Sequence, residues 1–454
     1  MKPPSMLGIW LAVLVAAWSP SGFGGPRLRL ATFRCDVTPS LGEPLIWVTP
    51  ASRVEDPLWA KGVVLDDGRA RCVLCAMDWC GIGGAAYELF RNRIAAAAGI
   101  GAERVALQSV HQHTAPYVDG DACRLLSSFG IPALCMSDDS MRGVSERLAK
   151  SVAEACARLI PFDRVGAGSA RVEQVASGRR IIVDGKLITR FSTGGSSPEL
   201  AALPEGPIDP FLKTITLAVG RQPLVRLHYY ATHPQTFCCD GRISGDFVSA
   251  AREALEKEEG VFQLYFTGCA GDVTVGKYND KSDEARAGLA LRLTQGMRAS
   301  IASIRYFPAA EMKWRAGELR LPVKPAREGS APALSSRLAR HEFKTPDEAY
   351  RAAISLAFLQ RSRPLPVSAL EIGPIFILHL PGEPMLEFQN YARQLKRSGS
   401  VAISGYGDMS PGYLCTDRAF REGGYEPGAS NAGPGTEERV KKIIRKLLGS
   451  RPSR

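Results

Sequence analysis

The chain has 454 residues, of which 45% are hydrophobic and 23% charged, a composition that supports one large core or two ordinary ones and excludes a disordered or fibrous protein. Basic residues outnumber acidic ones by 57 to 46, so the formal net charge is +11. Because no run of basic residues interleaves with aromatic ones, the charge does not indicate binding to nucleic acid, and it favours anionic partners such as lipid head groups. No protein partner is predicted.

The N-terminal residues 1–25 are typical of an export signal, with Lys2 followed by an apolar run over 6–18 and then by small and turn-forming residues. The run is too short to span a bilayer, since a spanning helix needs roughly 20 apolar residues. We therefore expect a cleaved signal and an exported protein, periplasmic or secreted. An uncleaved segment that anchors the protein at a membrane is the alternative, and contact with a membrane surface stays open with it.

Eleven cysteines are present, and in an exported protein they meet an oxidising compartment in which disulfides form. Their connectivity does not follow from the sequence. Cys72 and Cys75 form a Cys-x-x-Cys pattern, but they lie on a predicted strand, where an odd offset directs the two side chains to opposite faces. We interpret both as small buried residues and not as part of a zinc knuckle.

From residue 28 onward, short apolar runs alternate with longer helical patterns, which predicts a single α/β domain over 28–450 with mixed β-sheets and flanking helices. Glycine-containing turns predict two antiparallel hairpins, which pair 62–65 with 71–77 and 212–219 with 224–230. Apolar residues at helical spacing predict helices over 85–98, 246–259, about 283–304 and 436–448. The stretch 324–336 is rich in proline, serine and charge, and it predicts a surface excursion.

Four predicted apolar strands end in polar or glycine-rich segments. The strand predicted over 105–110 precedes His111 and His113, and the strand over 224–230 precedes His233. The strand over 263–266 precedes a Thr-Gly-Cys-Ala-Gly-Asp segment, and the strand over 375–380 precedes Glu383. In α/β folds such ends project into the usual ligand crevice. We therefore expect these residues to converge on one site.

Three of the six histidines of the chain lie at these strand ends. A catalytic zinc typically keeps three protein ligands and one open position, so His111, His233 and Glu383 form a candidate metal site. Histidines that are only hydrogen-bonded are the alternative, because no local motif links these residues. For His113 we expect substrate contact or proton transfer rather than metal binding.

The strand over 105–110 and the His-Gln-His-Thr-Ala-Pro segment after it resemble the strand and His-x-His-[Thr/Ser]-x-Pro motif of the neutral ceramidases and their exported bacterial relatives. Further segments resemble the same family in the same order, at 33–39, 56–60, 205–210, 231–236, 243–246, 268–274, 380–383 and 423–426. Their collinearity is specific. The resemblance implies the α/β fold of the ceramidase catalytic domain and hydrolysis of a linear amide, with an N-acyl sphingolipid such as ceramide as the first substrate class.

The resemblance also implies one zinc ion, held by His111, His233, Glu383 and Tyr413. Tyr413 is the least usual of these ligands, because a phenol with its reference pKa of about 10 is neutral at pH 7. It would therefore be a weak, displaceable ligand unless the cation favours its phenolate.

His113 and Tyr425 are the catalytic residues that the resemblance implies. Tyr425 would donate a hydrogen bond to the developing oxyanion, and His113 would pass a proton to the leaving amine. An arginine that lines the substrate pocket of the family corresponds to Arg179, with the adjacent Arg180 as the alternative.

Two departures from the family pattern bear on the substrate. Where the ceramidases carry a Gly-Asp-Val-Ser-Pro-Asn loop, this chain has Gly-Asp-Val-Thr-Val-Gly over 271–276, and Thr274 has no evident base beside it for nucleophilic catalysis. We expect Thr274 and Asp272 to shape the substrate pocket, with Asp272 also orienting an imidazole ligand. The residues after Tyr425 predict one basic helix in place of the β-sandwich of characterised ceramidases, which leaves ceramide itself open. An esterase or amidase for another substrate, and a non-catalytic exported binding protein, are the alternatives.

Overall fold

Three mixed β-sheets and a set of two-stranded ladders form the framework of the protein in the computed structural model, which describes residues 28–324, 330–397 and 399–449. The strands, in chain order, are β1 (Arg29–Asp36), β2 (Arg53–Val54), β3 (Trp59–Asp66), β4 (Arg71–Met77), β5 (Gly81–Gly83), β6 (Val105–Ser109), β7 (Tyr117–Asp119), β8 (Ile160–Pro161), β9 (Arg164–Arg171), β10 (Ser177–Gly178), β11 (Arg180–Val183), β12 (Lys186–Thr189), β13 (Phe211–Val219), β14 (Gln222–Tyr230), β15 (Arg242–Ile243), β16 (Phe262–Thr267), β17 (Val273–Thr274), β18 (Arg305–Pro308), β19 (Met312–Leu319), β20 (Leu365–Ile372), β21 (Ile375–His379), β22 (Glu383–Pro384), β23 (Ser400–Ser404) and β24 (Tyr413–Leu414).

α-Helices connect these strands and pack against the sheets. The helices of the described residues, in chain order, are α1 (Gly84–Ala98), α2 (Gly120–Ser128), α3 (Asp138–Cys156), α4 (Pro198–Ala202), α5 (Asp246–Glu259), α6 (Asp283–Ala302), α7 (Ala331–Ala339), α8 (Pro346–Leu359), α9 (Leu386–Leu395), α10 (Asp417–Glu422), α11 (Tyr425–Ala429) and α12 (Thr436–Leu448). The α/β fold class predicted from the sequence is therefore confirmed.

The first sheet has the strand order β6-β4-β3-β1-β8, with β4 and β6 parallel and the other neighbours antiparallel. Its middle strands are covered on both faces: Val63 and Cys72 pack into a central core, whereas Val64 and Cys75 pack with residues of α1 and α3. Burial on both faces explains why β3 and β4 are nearly continuous apolar runs. Cys72 and Cys75 are buried on opposite faces of β4, as predicted.

The second sheet has the order β16-β14-β13-β9-β18. The predicted hairpin of β13 and β14 is confirmed, with an irregularity in register between Leu217 and Ala218, and β16 joins β14 in parallel through α5. Helix α6 packs on β9 and β13. The apolar residues of this sheet and of the first sheet share one core cluster, so the carboxyl ends of β6, β14 and β16 are held together by a common core.

The third sheet has the order β19-β20-β21-β23, with β21 and β23 parallel. Helices α9 and α12 cover one face of it. In α12, Val440, Ile444 and Leu447 are buried at helical spacing, whereas Lys442 and Glu438 are exposed. This amphipathic pattern is what allows a strongly basic segment to close the fold.

Most of the local elements predicted from the sequence are found. β3 and β4 form the first predicted hairpin, and the four predicted helices correspond to α1, α5, α6 and α12. Ser282 begins α6 by accepting a hydrogen bond from the amide of Ala285 at 3.0 Å, which satisfies a free helix donor. The predicted surface excursion over 324–336 is wrong in its last part, because α7 begins at Ala331 with Pro332 in its first turn. Residues 325–329 lie outside the described residues.

Disulfides join Cys123 to Cys135 and Cys238 to Cys239, and the other cysteines are free thiols. No helix in the part of the chain that the structure describes is long and apolar enough to cross a membrane. The predicted export signal over 1–25 lies outside the described residues. Export, membrane attachment and the division into a signal and one domain over 28–450 therefore stay predictions.

Candidate metal centre and active-site cleft

Residues that follow strands of three different sheets meet at one point. His111 lies shortly after β6, His233 shortly after β14, and Glu383 follows β21 as the first residue of β22. One potential ligand atom from each lies within 4.8 Å of the others, and all three side chains are buried. The structure thus brings the three residues together. They follow strands of three different sheets, and not neighbouring strands at the edge of one sheet.

Hydrogen bonds to backbone carbonyls orient both imidazoles. Nδ1 of His111 lies 2.5 Å from the carbonyl oxygen of Cys80, and Nδ1 of His233 lies 2.8 Å from that of Ala270 and 3.0 Å from that of Val273. A carbonyl only accepts, so each Nδ1 carries the proton and each Nε2 keeps a free lone pair. The two Nε2 atoms lie 3.3 Å and 3.1 Å from the same Glu383 oxygen.

The Glu383 oxygen and the two Nε2 atoms are all hydrogen-bond acceptors, and they face one another. Burial lowers the pKa of His233 to about 4, so its imidazole is neutral at pH 7. A carboxylate and two imidazole lone pairs at these distances repel one another unless a cation lies between them. Because two imidazoles and one carboxylate are a common zinc ligand set, the donors present fit zinc.

Tyr413 lies beside this group because β22 and β24 pair in parallel, with Glu383 opposite Tyr413. Side chains of directly paired residues share one face of a ladder, and both residues line the same cavity as His111. The Tyr413 hydroxyl accepts a hydrogen bond from Nη1 of Arg179 at 2.9 Å. Burial raises the pKa of the Tyr413 phenol well above its usual value. Tyr413 is therefore placed to act as a neutral fourth donor.

His113 lies directly beside His111. Their Nε2 atoms lie 3.3 Å apart. The strand β6 ends at Ser109, and His111 adopts a left-handed backbone conformation with φ of +79°. Nδ1 of His113 has no hydrogen-bond partner among the described residues, and burial lowers the pKa of His113 well below its usual value. His113 is therefore a neutral imidazole directly beside the metal-binding group.

The structure distinguishes Arg179 from its neighbour Arg180. Arg179 is buried, lines the cleft and donates to Tyr413. Arg180 forms ion pairs with Glu422 at 3.0 Å and with Glu426 at 2.8 Å. Arg179 is therefore the arginine of this pair that can contact a bound molecule.

Tyr425 lies in the cleft with its ring edge-on to two other aromatic rings. The centroid distances are 5.7 Å to Tyr413 and 5.2 Å to Phe191. The preceding residue, Gly424, has φ of +98°, and a Cβ at this position would lie 2.7 Å from Cδ2 of Leu187. The positive φ and the short distance both favour glycine at the position before Tyr425. Burial raises the pKa of the Tyr425 phenol, so it keeps its proton and remains a hydrogen-bond donor.

Asp272 and Thr274 are not among the residues that line the two cavities of the described cleft, and their substrate binding stays a prediction. The Asp272 carboxylate accepts a hydrogen bond from the amide of Leu386 at 2.8 Å. The predicted orientation of an imidazole by Asp272 is wrong, because backbone carbonyls accept the hydrogen bonds of both imidazoles. Thr274 is buried in β17, and its hydroxyl donates to Oγ of Ser192 at 3.2 Å. Ser192 lines the cleft, so Thr274 acts on a bound molecule only through Ser192.

Two contributors were not predicted from the sequence. Cys80 supplies the carbonyl that holds His111, and its thiol lies 3.7 Å from the same imidazole. The ring of Tyr406 packs against the ring of His111 with a centroid distance of 4.4 Å and an interplanar angle of 30°. The signal that could have identified Cys80 is the position of Asp78, Trp79 and Cys80 directly after β4, the parallel neighbour of β6. Tyr406 follows β23 in the same way, but nothing local marks it.

The metal-binding group lies where two cavities meet. The first, here called the apolar limb, has a volume of about 400 Å³, and its apolar lining comes from Ile46, Tyr117, Leu334, Tyr350, Ile354 and Leu359. The second, here called the polar limb, has a volume of about 370 Å³, and its polar lining includes Arg179, Ser192, Thr193, Gln235, Asp240 and Lys281. Four residues line both limbs, namely Trp47, His113, Tyr413 and Tyr425. The residues predicted to surround the scissile bond are therefore at the junction of the limbs.

Comparison with solved structures identifies the fold. The chain is similar to neutral ceramidase from Pseudomonas aeruginosa, with a TM-score of 0.68 and 16% sequence identity over 93% of this chain and 74% of that chain. A ceramidase complexed with C2 gives the same values. No protein-family model and no curated protein sequence matches the chain. At this level of identity the likeness establishes the fold, and the chain has the α/β fold of neutral ceramidase, as the sequence motifs predicted.

Proposed function

We propose that the protein is a zinc-dependent hydrolase that cleaves a linear amide, with N-acyl lipids as the substrate class. The observation that carries the proposal is the meeting of His111, His233 and Glu383, whose lone pairs face one another beside the junction of two cavities. The shared fold with a neutral ceramidase supports an amide such as ceramide as one member of that class.

The metal would be held by Nε2 of His111 and of His233, by a Glu383 oxygen and by the Tyr413 hydroxyl. When bound, zinc supplies Lewis acidity that polarises a carbonyl and makes water reactive near pH 7. The protein contributes preorganisation, because the Nδ1–H groups of both imidazoles are already fixed by carbonyls. Such supporting hydrogen bonds set the tautomer and the direction of the ligand lone pairs.

Tyr425 and His113 would act on the substrate itself. Tyr425 retains its proton and donates a hydrogen bond to the carbonyl oxygen as negative charge develops there. His113, neutral at pH 7, accepts a proton from the attacking water and delivers it to the amide nitrogen. The water oxygen forms a bond to the carbonyl carbon, and the C–N bond breaks with its electron pair on nitrogen. The products are a carboxylic acid and an amine.

The two limbs correspond to the two halves of an N-acyl amide. The apolar limb receives the acyl chain, because aliphatic and aromatic side chains such as Leu334 and Ile354 line it, and burial of apolar surface stabilises the complex by about 25 cal/mol per Å². The amine half would then extend into the polar limb. His113 and Tyr425, which line both limbs, would contact the amide between them.

The test is a panel of matched substrates with one lauroyl chain: an N-lauroyl amide, the corresponding ester, and a short water-soluble amide. Each is incubated with the purified protein as isolated, after chelation, and after addition of zinc. We expect turnover of the lauroyl amide that chelation abolishes and zinc restores. Turnover of the ester alone would indicate an esterase with the same centre. Absence of all turnover with zinc bound would indicate a binding protein.

A further inference from the structure

Arg179 uses only part of its hydrogen-bonding capacity. Nη1 donates to the Tyr413 hydroxyl at 2.9 Å and to the carbonyl of Gly271 at 3.2 Å. Nε is buried and has no partner, and Nη2 makes no hydrogen bond to any described residue. The side chain is only 3% exposed. A buried donor without a partner is unfavourable, so the free Nε–Nη2 edge indicates a missing acceptor.

The acceptor would lie in the polar limb. Arg179 lines that limb and does not line the apolar limb. The Nε and Nη2 atoms of a guanidinium form a planar fork that matches the two oxygens of a carboxylate. Nη1 of Arg179 donates a hydrogen bond to Tyr413, which lies beside the metal-binding group. A group that accepts hydrogen bonds from the free edge of Arg179 would therefore lie close to the metal-binding group.

The other charges that line the polar limb leave it positive. Asp240 is the carboxylate on this lining, and it is paired with Arg242 at 2.7 Å and with Arg53 at 3.4 Å. Lys281 also lines the limb, and among the described residues its ammonium group has neither a carboxylate partner nor a hydrogen bond. Nη1 of Arg179 lies 3.9 Å from Oε1 of the buried Glu426, which does not line the limb. Arg179 and Lys281 are therefore the two cations on this lining, and Lys281 is the one without a carboxylate partner among the described residues.

We propose that the polar limb binds an anionic group on the amine half of the substrate, so that the preferred substrates are N-acyl amides with a carboxylate close to the amide nitrogen, as in N-acyl amino acids. This inference rests on the proposed amidase function. The free edge of Arg179 pairs with the carboxylate in a bidentate manner, and Lys281 adds a second attraction from the rim of the limb. The neutral amine half of ceramide offers no such group.

The test compares N-lauroylglycine with N-lauroylglycinamide, which differ only in the replacement of the carboxylate by a neutral amide. With the zinc-loaded protein, kcat/KM for the terminal lauroyl amide bond is expected to be about tenfold or more higher for N-lauroylglycine, since hydrogen bonds to charged groups contribute about 1.5–3 kcal/mol. Calorimetry on the metal-free protein gives a second readout, in which N-lauroylglycine binds about tenfold more tightly. N-lauroyltaurine, a sulfonate, shows whether any anion suffices.

Substitutions at Lys281 and at Arg179 test the two cations separately. Lys281→Gln should raise the dissociation constant of N-lauroylglycine about threefold at low salt and leave that of N-lauroylglycinamide unchanged. Lys257→Gln, on the exposed side of α5, is the matched control and should change neither. Arg179→Gln should remove the preference for the acid, and Arg179→Lys should restore part of it, because an ammonium keeps the charge without the fork.

The outcomes separate this inference from the proposed function. Equal turnover and equal binding of the acid and the amide would overturn the anion site while the amidase assignment stands. Tighter binding of N-lauroylglycine without turnover of any lauroyl amide would support the anion site and contradict the amidase assignment. Preference for N-lauroylglycinamide would overturn the inference outright.

Discussion

Glu383 and Tyr413 are direct partners in the parallel ladder of β22 and β24. Two backbone hydrogen bonds hold this ladder. The amide of Glu383 donates to the carbonyl of Gly412 at 2.9 Å, and the amide of Met385 donates to the carbonyl of Leu414 at 3.1 Å. A carboxylate and a phenol are thus held side by side by backbone register, and Arg179 fixes the phenol from the other side. The fourth donor position of the metal-binding group therefore depends on strand pairing and not on a mobile loop.

Tyr413→Phe removes the hydroxyl and leaves the ring in place. We expect zinc affinity to fall by about tenfold or more, since even groups that only support zinc ligands cost about 10-fold to 100-fold when removed, while the two imidazoles and Glu383 remain. Competition with a chromogenic chelator measures the affinity. Tyr391→Phe is the control, since the Tyr391 hydroxyl bonds only to Arg445 on α12 among the described residues. An unchanged affinity in Tyr413→Phe would show that the phenol is not a ligand.

His233→Ala removes a nitrogen donor and leaves Glu383 with a single imidazole neighbour. We expect the zinc content of the purified protein and its amide turnover to fall together, each by about tenfold or more. Metal analysis and the lauroyl amide assay measure the two quantities. His341→Ala, at an exposed histidine, should retain both. Full turnover by His233→Ala without bound metal would contradict the assignment of the centre.

The helices and hairpins could be predicted because their signals are local. α5 and α12 have the boundaries that apolar spacing gave, since each buries one stripe of side chains and ends at a glycine, Gly260 or Gly449, in the left-handed conformation. The strand ends at His111 and His233 were recognisable for the same reason, because each follows a short apolar run directly.

The arrangement of the site depends on features that are not local. The backbone of His111 has φ of +79°, a conformation that histidine adopts only when surrounding structure enforces it, and no local pattern predicts it. The groups that hold the imidazoles are carbonyls, such as those of Cys80 and Ala270, and a carbonyl has no side-chain identity to read. For the same reason Asp272, the polar side chain nearest in sequence, was assigned a role that the backbone performs.

Gly424→Ala should reduce turnover without removing the metal. A Cβ at position 424 would lie 2.7 Å from Cδ2 of Leu187 and 2.9 Å from Nη1 of Arg180, so either these side-chain ends or the backbone that presents Tyr425 must shift. Because loss of a single oxyanion donor lowers kcat by about 100-fold to 1000-fold in other hydrolases, we expect a decrease of up to that size, with unchanged zinc content. The measurement pairs metal analysis with kcat for the lauroyl amide.

Gly423→Ala is the matched control for this variant. Gly423 also has a positive φ, +72°, but a Cβ there would meet no atom within 4 Å. The substitution introduces backbone strain of about 1–3 kcal/mol without a clash, so thermal stability should fall while turnover of the folded protein is largely kept. Equal losses of turnover in both variants would attribute the effect to strain and not to the position of Tyr425.

Stability is expected to depend on pH through His228, which is fully buried in the second sheet. Its Nδ1 lies 2.9 Å from the Thr214 hydroxyl, and its Nε2 lies 2.7 Å from Oε1 of Gln263. Burial lowers the pKa of His228 to about 4, whereas an unfolded chain has a histidine pKa of about 6.5. Between these two values only the unfolded state binds the proton. The contribution of His228 to the free energy of unfolding is therefore complete above pH 7 and is lost as the pH falls toward 4.

His228→Gln isolates this contribution, because glutamine does not titrate and can still hydrogen-bond to Thr214 and Gln263. Between pH 7 and pH 5 the His228 proton lowers the free energy of unfolding by about 2 kcal/mol in the wild-type protein. The variant should lose about 2 kcal/mol less over the same interval, whatever its stability at pH 7, because all carboxylates are common to both proteins. Urea unfolding of the metal-free proteins at the two pH values measures the difference. Parallel pH dependences would mean that His228 is as accessible to protons in the folded state as in the unfolded chain.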